Sequence, residues 1–152
     1  AKVFEAAVAI EAGAKEIDMV MDIGAAKSGY WEEVESDISQ VVRASRPYPV
    51  KVILECCLLD ESEIINSCTA ALSAEAHFVK TSTGFGGQGS TVSDIEIMRR
   101  TVGQQMGVKA SGGIRDLKTA LSLVRAGANR LGTSRSVALL KEMDNERELC
   151  AL

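Results

Sequence analysis

The sequence holds a single histidine, His77, and four cysteines, at positions 56, 57, 68 and 150, with no C-x-x-C pair among them. A zinc site built on paired thiolates or imidazoles is therefore not expected, and adjacent cysteines make a poor disulfide framework. Reduced thiols in a cytoplasmic protein, with no metal, are the better reading. No apolar run approaches the ~18 residues that cross a bilayer, and the chain opens without a signal-peptide pattern. A formal net charge of -4 argues against nucleic acid or an anionic membrane as partner, while leaving room for a local basic pocket. No G-x-G-x-x-G loop follows the first strand-like segment, which speaks against a dinucleotide-binding sheet.

What is present is a soluble globular composition: 152 residues, 46% apolar and 25% charged, enough for one domain with a core and too few for two. Val3, Ala6, Ala7 and Ile10 predict an amphipathic helix ending at Ala12-Gly13-Ala14. A strand follows over 16–21, closed by Gly24, then a helix over 31–44 with Val34, Ile38, Val41 and Val42 on one face. Pro47 and Pro49 end that helix, and 50–56 is a strand rich in β-branched residues. Asp60 with Glu63, and Thr91 with Asp94, form capping patterns at the starts of two further helices. Between them lie a strand over 76–82 and a loop over 84–89 with four glycines. A strand over 106–111 is followed by a helix capped by Asp116, with Leu117, Ala120, Leu121 and Val124 facing inward. A strand over 129–133 and a short helix from Ser136 complete the pattern, and the acidic residues of 144–148 read as a solvated end. His77 reads as structural, and Cys57 and Cys68 as core filler.

Helix and strand alternate throughout, which means βα units and a parallel sheet. Lys51, Lys80 and Lys109 recur at intervals of 29 residues, each after a valine on a strand. That period fits one βα unit of a (β/α)8 TIM barrel, in which eight units take roughly 250 residues. The chain opens on Ala1 directly in a helical pattern, and five strands do not close an eight-stranded barrel. The expectation is therefore that 1–152 are the C-terminal part of a single barrel domain, its last five βα units, strands four to eight.

In such a barrel the chemistry sits at the C-terminal ends of the strands. Asp18, Lys51, Glu55, Lys80 and Lys109 are the polar residues there. A lone strand-end lysine is ordinarily one whose head snorkels to water. Two lysines one unit apart differ, because at ~5 Å and an effective dielectric near 20 they repel by about 3 kcal/mol, roughly two pKa units. Such a pair pushes one amine toward its neutral, nucleophilic form. Lys80 is the candidate nucleophile, Lys109 its pKa-lowering or proton-moving partner, and Asp18 a carboxylate able to exchange protons through water. Asp18 can equally be a buried carboxylate paired with Lys51. Gly112-Gly113 and Gly132-Thr133-Ser134 fall after the strands whose loops bind phosphate in many barrels.

Glu16-Ile17-Asp18-Met19-Val20, Val50-Lys51-Val52-Ile53-Leu54-Glu55, Phe78-Val79-Lys80-Thr81-Ser82-Thr83-Gly84-Phe85, Val108-Lys109-Ala110-Ser111-Gly112-Gly113-Ile114-Arg115 and Arg130-Leu131-Gly132-Thr133-Ser134 together resemble the deoxyribose-phosphate aldolase family over about residues 3–140. The resemblance implies a cofactor-free class I aldolase that reversibly cleaves 2-deoxy-D-ribose 5-phosphate to D-glyceraldehyde 3-phosphate and acetaldehyde. It implies Lys80 as the Schiff-base lysine, Lys109 as its neighbour and Asp18 as a proton relay. The substrate phosphate is implied near Gly84, Gly112, Gly113, Gly132 and Ser134, with Arg115 at the edge. Arg135 stands where a small serine is usual, Cys56 where threonine is, and Asp22 where asparagine is. Homo-oligomers are compatible with this reading. The rival readings are a non-catalytic phosphate-binding or subunit-pairing fragment of such a barrel, and another Schiff-base aldolase.

Overall fold

The computed structural model describes the backbone of residues 1–150 and the side chains of residues 1–144. Five strands, β1 (Ile17–Val20), β2 (Val50–Ile53), β3 (Phe78–Lys80), β4 (Gly107–Ser111) and β5 (Arg130–Gly132), form one sheet in chain order. Every neighbouring pair is parallel. Helices α2 (Ile23–Lys27), α3 (Trp31–Ser45), α4 (Glu61–Ser73), α5 (Val92–Val102) and α6 (Leu117–Arg125) lie in the crossovers, with α1 (Lys2–Glu11) before β1 and α7 (Ser136–Cys150) after β5.

Local sequence explains where the helices start. Asp60 and Glu63 close a full capping box on α4, and Thr91 and Asp94 do so on α5. Asp116 caps α6 by accepting the Thr119 N–H at 2.7 Å. Each cap is worth about 1 kcal/mol.

Strand alternation then sorts the side chains. Val50, Val52, Val79, Val108 and Ala110 are fully buried beneath the helices and carry the core. The residues between them, Lys51, Lys80 and Lys109, share the opposite face with Asp18 and Arg130. That face is concave. Edge strands of a flat five-stranded sheet stand about 19 Å apart, yet Arg130 on β5 donates to Glu16 beside β1 at 2.9 and 2.7 Å. The sheet therefore curls as a barrel wall does.

Several expectations need correction. α2 was not foreseen: Gly24 reads as a stop, but Asp22 accepts the Ala25 N–H at 2.9 Å and starts a short helix. The strand over 50–56 ends at Ile53, because Glu55 takes φ 58° and turns the chain aside. On α6 Leu123 is buried while Val124 is 48% exposed; apolar residues flank the stripe on both sides, and periodicity does not rank them. On α1 only Ala6 is buried and Val3 is exposed. α7 is longer than expected, since no glycine or proline follows Ser136 to stop it. Within 144–148, Asp144 is exposed and the other side chains lie outside the described ones.

Candidate active site

Three strands present the amines. In the register of β3 and β4, Lys80 pairs directly with Lys109, and in that of β1 and β2, Asp18 pairs with Lys51. One carboxylate serves two ammonium groups: Lys51 Nζ lies 2.7 Å from Asp18 Oδ1, and Lys80 Nζ lies 3.4 Å from Oδ2. Burial pushes the Asp18 carboxyl up, but the Lys51 hydrogen bond and the charges of Lys51, Lys80 and Lys109 hold it below its ordinary value. Asp18 is thus ionised at neutral pH. It touches both Lys51 and the candidate nucleophile Lys80.

Lys109 has no carboxylate in hydrogen-bond reach among the described residues. Burial, then the charges of Lys51 and Lys80, hold its ammonium below the usual lysine value, against the opposing pull of Asp18 and Glu16. At Lys109 the charge of Lys80 ranks behind burial and behind the charge of Lys51.

Lys51 is 1% exposed and pairs with both Glu16 and Asp18. An ammonium so buried needs close anions. Glu16 also takes Arg130, whose guanidinium lies 4.1 Å from the Phe78 ring centroid. Hydrogen bonds from Arg130 and Lys51 draw the Glu16 carboxyl down to about 2.

Beyond the amines opens a cavity of about 440 Å³. Lys80, Lys109, Gly84, Gly112, Gly113, Arg115, Gly132 and Ser134 all line it, with Thr83, Ser111, Ile114 and Thr133. Asp18 stands outside that lining, on the wall of another cleft with Glu16, and touches the cavity residue Lys80. Three cationic side chains and no carboxylate face the space, which suits an anion. Gly112 and Gly113 have φ of 89° and 74°, backbone that side-chain-bearing residues rarely adopt. At Gly132 a Cβ would stand 2.9 Å from Ser111 Cβ and 3.2 Å from Lys109 Cε, so glycine there leaves the Lys109 stem its room. Arg135 neither lines the cavity nor crowds it; it is exposed in a separate cleft with Val137 and Lys141.

The loops are pinned from behind. Thr81 Oγ1 donates to the Ser111 carbonyl and accepts the Ser111 N–H, both at 3.1 Å. Glu55, 5% exposed, accepts the Thr83 hydroxyl at 2.5 Å and the Thr83 N–H at 3.1 Å, fixing the turn that follows Lys80. Cys57 is not core filler: it is half-buried and donates to the Gly86 carbonyl at 3.3 Å. Cys68 is buried in the core, its thiol pushed up to about 12 by desolvation. His77 accepts the Val50 N–H through Nδ1 at 3.2 Å, a structural part.

Sequence reasoning assigned no role to Glu16, Arg130, Glu55 or Thr83. Only the alternation that puts Glu16 on the face of Asp18 hinted at the first. Among the described residues no three His, Cys, Asp or Glu side chains are grouped to hold a metal, and no helix is long and apolar enough to cross a membrane.

Comparison with known proteins agrees with this geometry. The profile of the DeoC/LacD family aldolases matches residues 1–139. The deoxyribose-phosphate aldolase of Actinobacillus succinogenes is 51% identical over 144 residues, covering 95% of this chain and 64% of that protein. The solved structure of QR15, an aldolase, superposes with a TM-score of 0.90 at 37% identity, covering 97% of this chain and 66% of QR15. The deoxyribose phosphate aldolase of Aeropyrum pernix, described as a unique tetramer, superposes with a TM-score of 0.79 at 34% identity, covering 93% and 60%. The chain thus spans somewhat less than two thirds of the length of the relative from Actinobacillus.

Proposed function

The chain belongs to the DeoC/LacD family of aldolases, and from that premise we propose that the complete protein carrying it is a class I, Schiff-base aldolase acting on 2-deoxy-D-ribose 5-phosphate. The observation that carries the reading is the register pair Lys80–Lys109 at the mouth of a cationic, glycine-walled cavity. No cofactor is required by this chemistry.

In the cleavage direction the Lys80 amine adds to the C1 aldehyde of the open-chain sugar, and loss of water leaves a protonated imine. Removal of the proton from the C3 hydroxyl breaks the C2–C3 bond. Glyceraldehyde 3-phosphate leaves, and the electron pair is held as an enamine on Lys80. Protonation of C2 and addition of water then release acetaldehyde and restore the amine. Asp18, ionised and against Lys80, and Lys109, with its lowered proton affinity, are the groups we assign to carry these protons. The backbone and hydroxyls at Gly84, Gly112, Gly113, Gly132 and Ser134 hold the phosphate, with Arg115 adding charge.

A homo-oligomer is the assembly we propose, supported by the tetramer of the Aeropyrum relative. The free thiols of Cys56, Cys57 and Cys68 support a cytoplasmic setting. The test is a retro-aldol assay of the complete protein and its Lys80→Met variant. Release of acetaldehyde from deoxyribose 5-phosphate, lost in the variant, is expected. Cleavage only of ketose phosphates would assign the site to another Schiff-base aldolase, and no cleavage at all would favour a non-catalytic phosphate-binding barrel.

A further inference from the structure

We propose that Glu16 is a positioning residue of the amine site, holding Lys51 from behind so that one Asp18 oxygen stays available to Lys80, with Arg130 clamping Glu16 from the opposite edge of the sheet. The proposal rests on the Schiff-base reading above and adds to it two residues outside the cavity that holds Lys80 and Lys109.

The geometry is a chain of alternating charge across the concave face. Arg130 donates twice to Glu16, at 2.9 and 2.7 Å. Glu16 contacts Lys51, Lys51 donates to Asp18 at 2.7 Å, and Lys80 reaches the other Asp18 oxygen at 3.4 Å. Phe78 floors it, with Arg130 and Lys51 over its ring at 4.1 and 5.7 Å. Glu16 and Arg130 lie 114 residues apart in the chain, so this contact ties the first strand to the last.

Competition for Asp18 is the reason the clamp matters. Its two contacts are already unequal, 2.7 Å to Lys51 against 3.4 Å to Lys80. The Lys51 side chain is 2% exposed, so water cannot stand in for a lost anion. With Glu16 neutral, Lys51 must draw on Asp18 alone, and Asp18 moves off Lys80. Charge balance changes as well. Lys109 faces Lys51 on β2, Lys80 on β3, Arg130 on β5, and the carboxylates Glu16 and Asp18 at β1. Removing the Glu16 charge makes this set more positive and makes Lys109 easier to deprotonate. Removing the Arg130 charge does the reverse.

That opposition gives a readout a merely structural ion pair does not have. Glu16→Gln and Arg130→Gln are made in the complete protein, with kcat and KM for deoxyribose 5-phosphate followed from pH 5 to 10. Melting temperatures fix a working temperature at which every variant is folded. Glu16→Gln is expected to lower kcat by about ten-fold with KM within about two-fold. The limb of the pH profile that reports Lys109 should move to lower pH by on the order of half a unit. Arg130→Gln should move the same limb upward. Equal kcat with unmoved limbs, or shifts of the same sign, overturns the proposal. If Glu16→Gln does not fold, Arg130→Gln decides alone: an upward shift supports the clamp and no shift removes it. Failure of the underlying reading is separate, because the parent protein itself would then not cleave the substrate.

Discussion

Lys80 and Lys109 are direct register partners on adjacent parallel strands, yet only Lys80 has the Asp18 carboxylate against its ammonium group, at 3.4 Å. Two chemically identical side chains are thereby given different surroundings. Lys109 is left with burial and like charge, and Lys80 with an anion that can take or return a proton.

Lys109 carries a cost that its removal should reveal. A lysine whose proton affinity is lowered by burial destabilises the fold while protonated, and that penalty is relieved as pH rises past its folded value toward about 10.4. Lys109→Met should therefore raise the melting temperature at pH 7, by roughly 2–4 °C. The same change should lower kcat by about a hundred-fold or more. Calorimetry beside a retro-aldol assay reads both; a variant less stable than the parent would contradict the assigned environment.

Glu16 has the opposite sign. Its carboxyl is drawn down to about 2, so its stabilising contribution is present above about 4.5 and is lost as pH falls toward 2. With the pair partly exposed, that contribution is about 1 kcal/mol after solvent screening. Glu16→Gln should be less stable than the parent at pH 6, and the gap should close by pH 2. Urea unfolding at a series of pH values measures it.

Arg115 lines the same cavity as Lys80 and Lys109. Arg115→Ala should raise KM for deoxyribose 5-phosphate by about ten-fold, with little effect on imine formation from acetaldehyde, which has no phosphate. An equal loss for both substrates would place the phosphate elsewhere.

Glu55 should act on stability and substrate binding together. Glu55→Met removes the carboxylate oxygen that accepts both the Thr83 N–H and the Thr83 hydroxyl, leaving part-buried donors without an acceptor at about 2 kcal/mol. A lower melting temperature with raised KM is the expected pair of changes. Unchanged KM would mean that the turn after Lys80 keeps its shape without the carboxylate.

Much of the fold was legible because valine and lysine alternate. Val50, Val79 and Val108 mark the helix-covered face, and Lys51, Lys80 and Lys109 mark the concave one. The capping pairs Asp60–Glu63 and Thr91–Asp94 set helix starts by purely local bonds, so they too could be read directly. The side-chain contacts made across the curved face could not. Nothing local to Glu16 says that Arg130, on the far edge, will meet it, because that contact depends on how all five strands curl. Glu55 was opaque for a different reason: its backbone sits at φ 58°, a conformation its residue type does not announce, and that turn underlies the Thr83 contact. Asp22 was masked by Gly24, two residues further on.

The most direct measurement is covalent capture at the nucleophile. The complete protein is incubated with acetaldehyde, reduced with borohydride, digested and mapped by mass. The account predicts one ethyl group on the peptide carrying Lys80 and none on that carrying Lys109. Label on Lys109, or no label on either lysine, would contradict it.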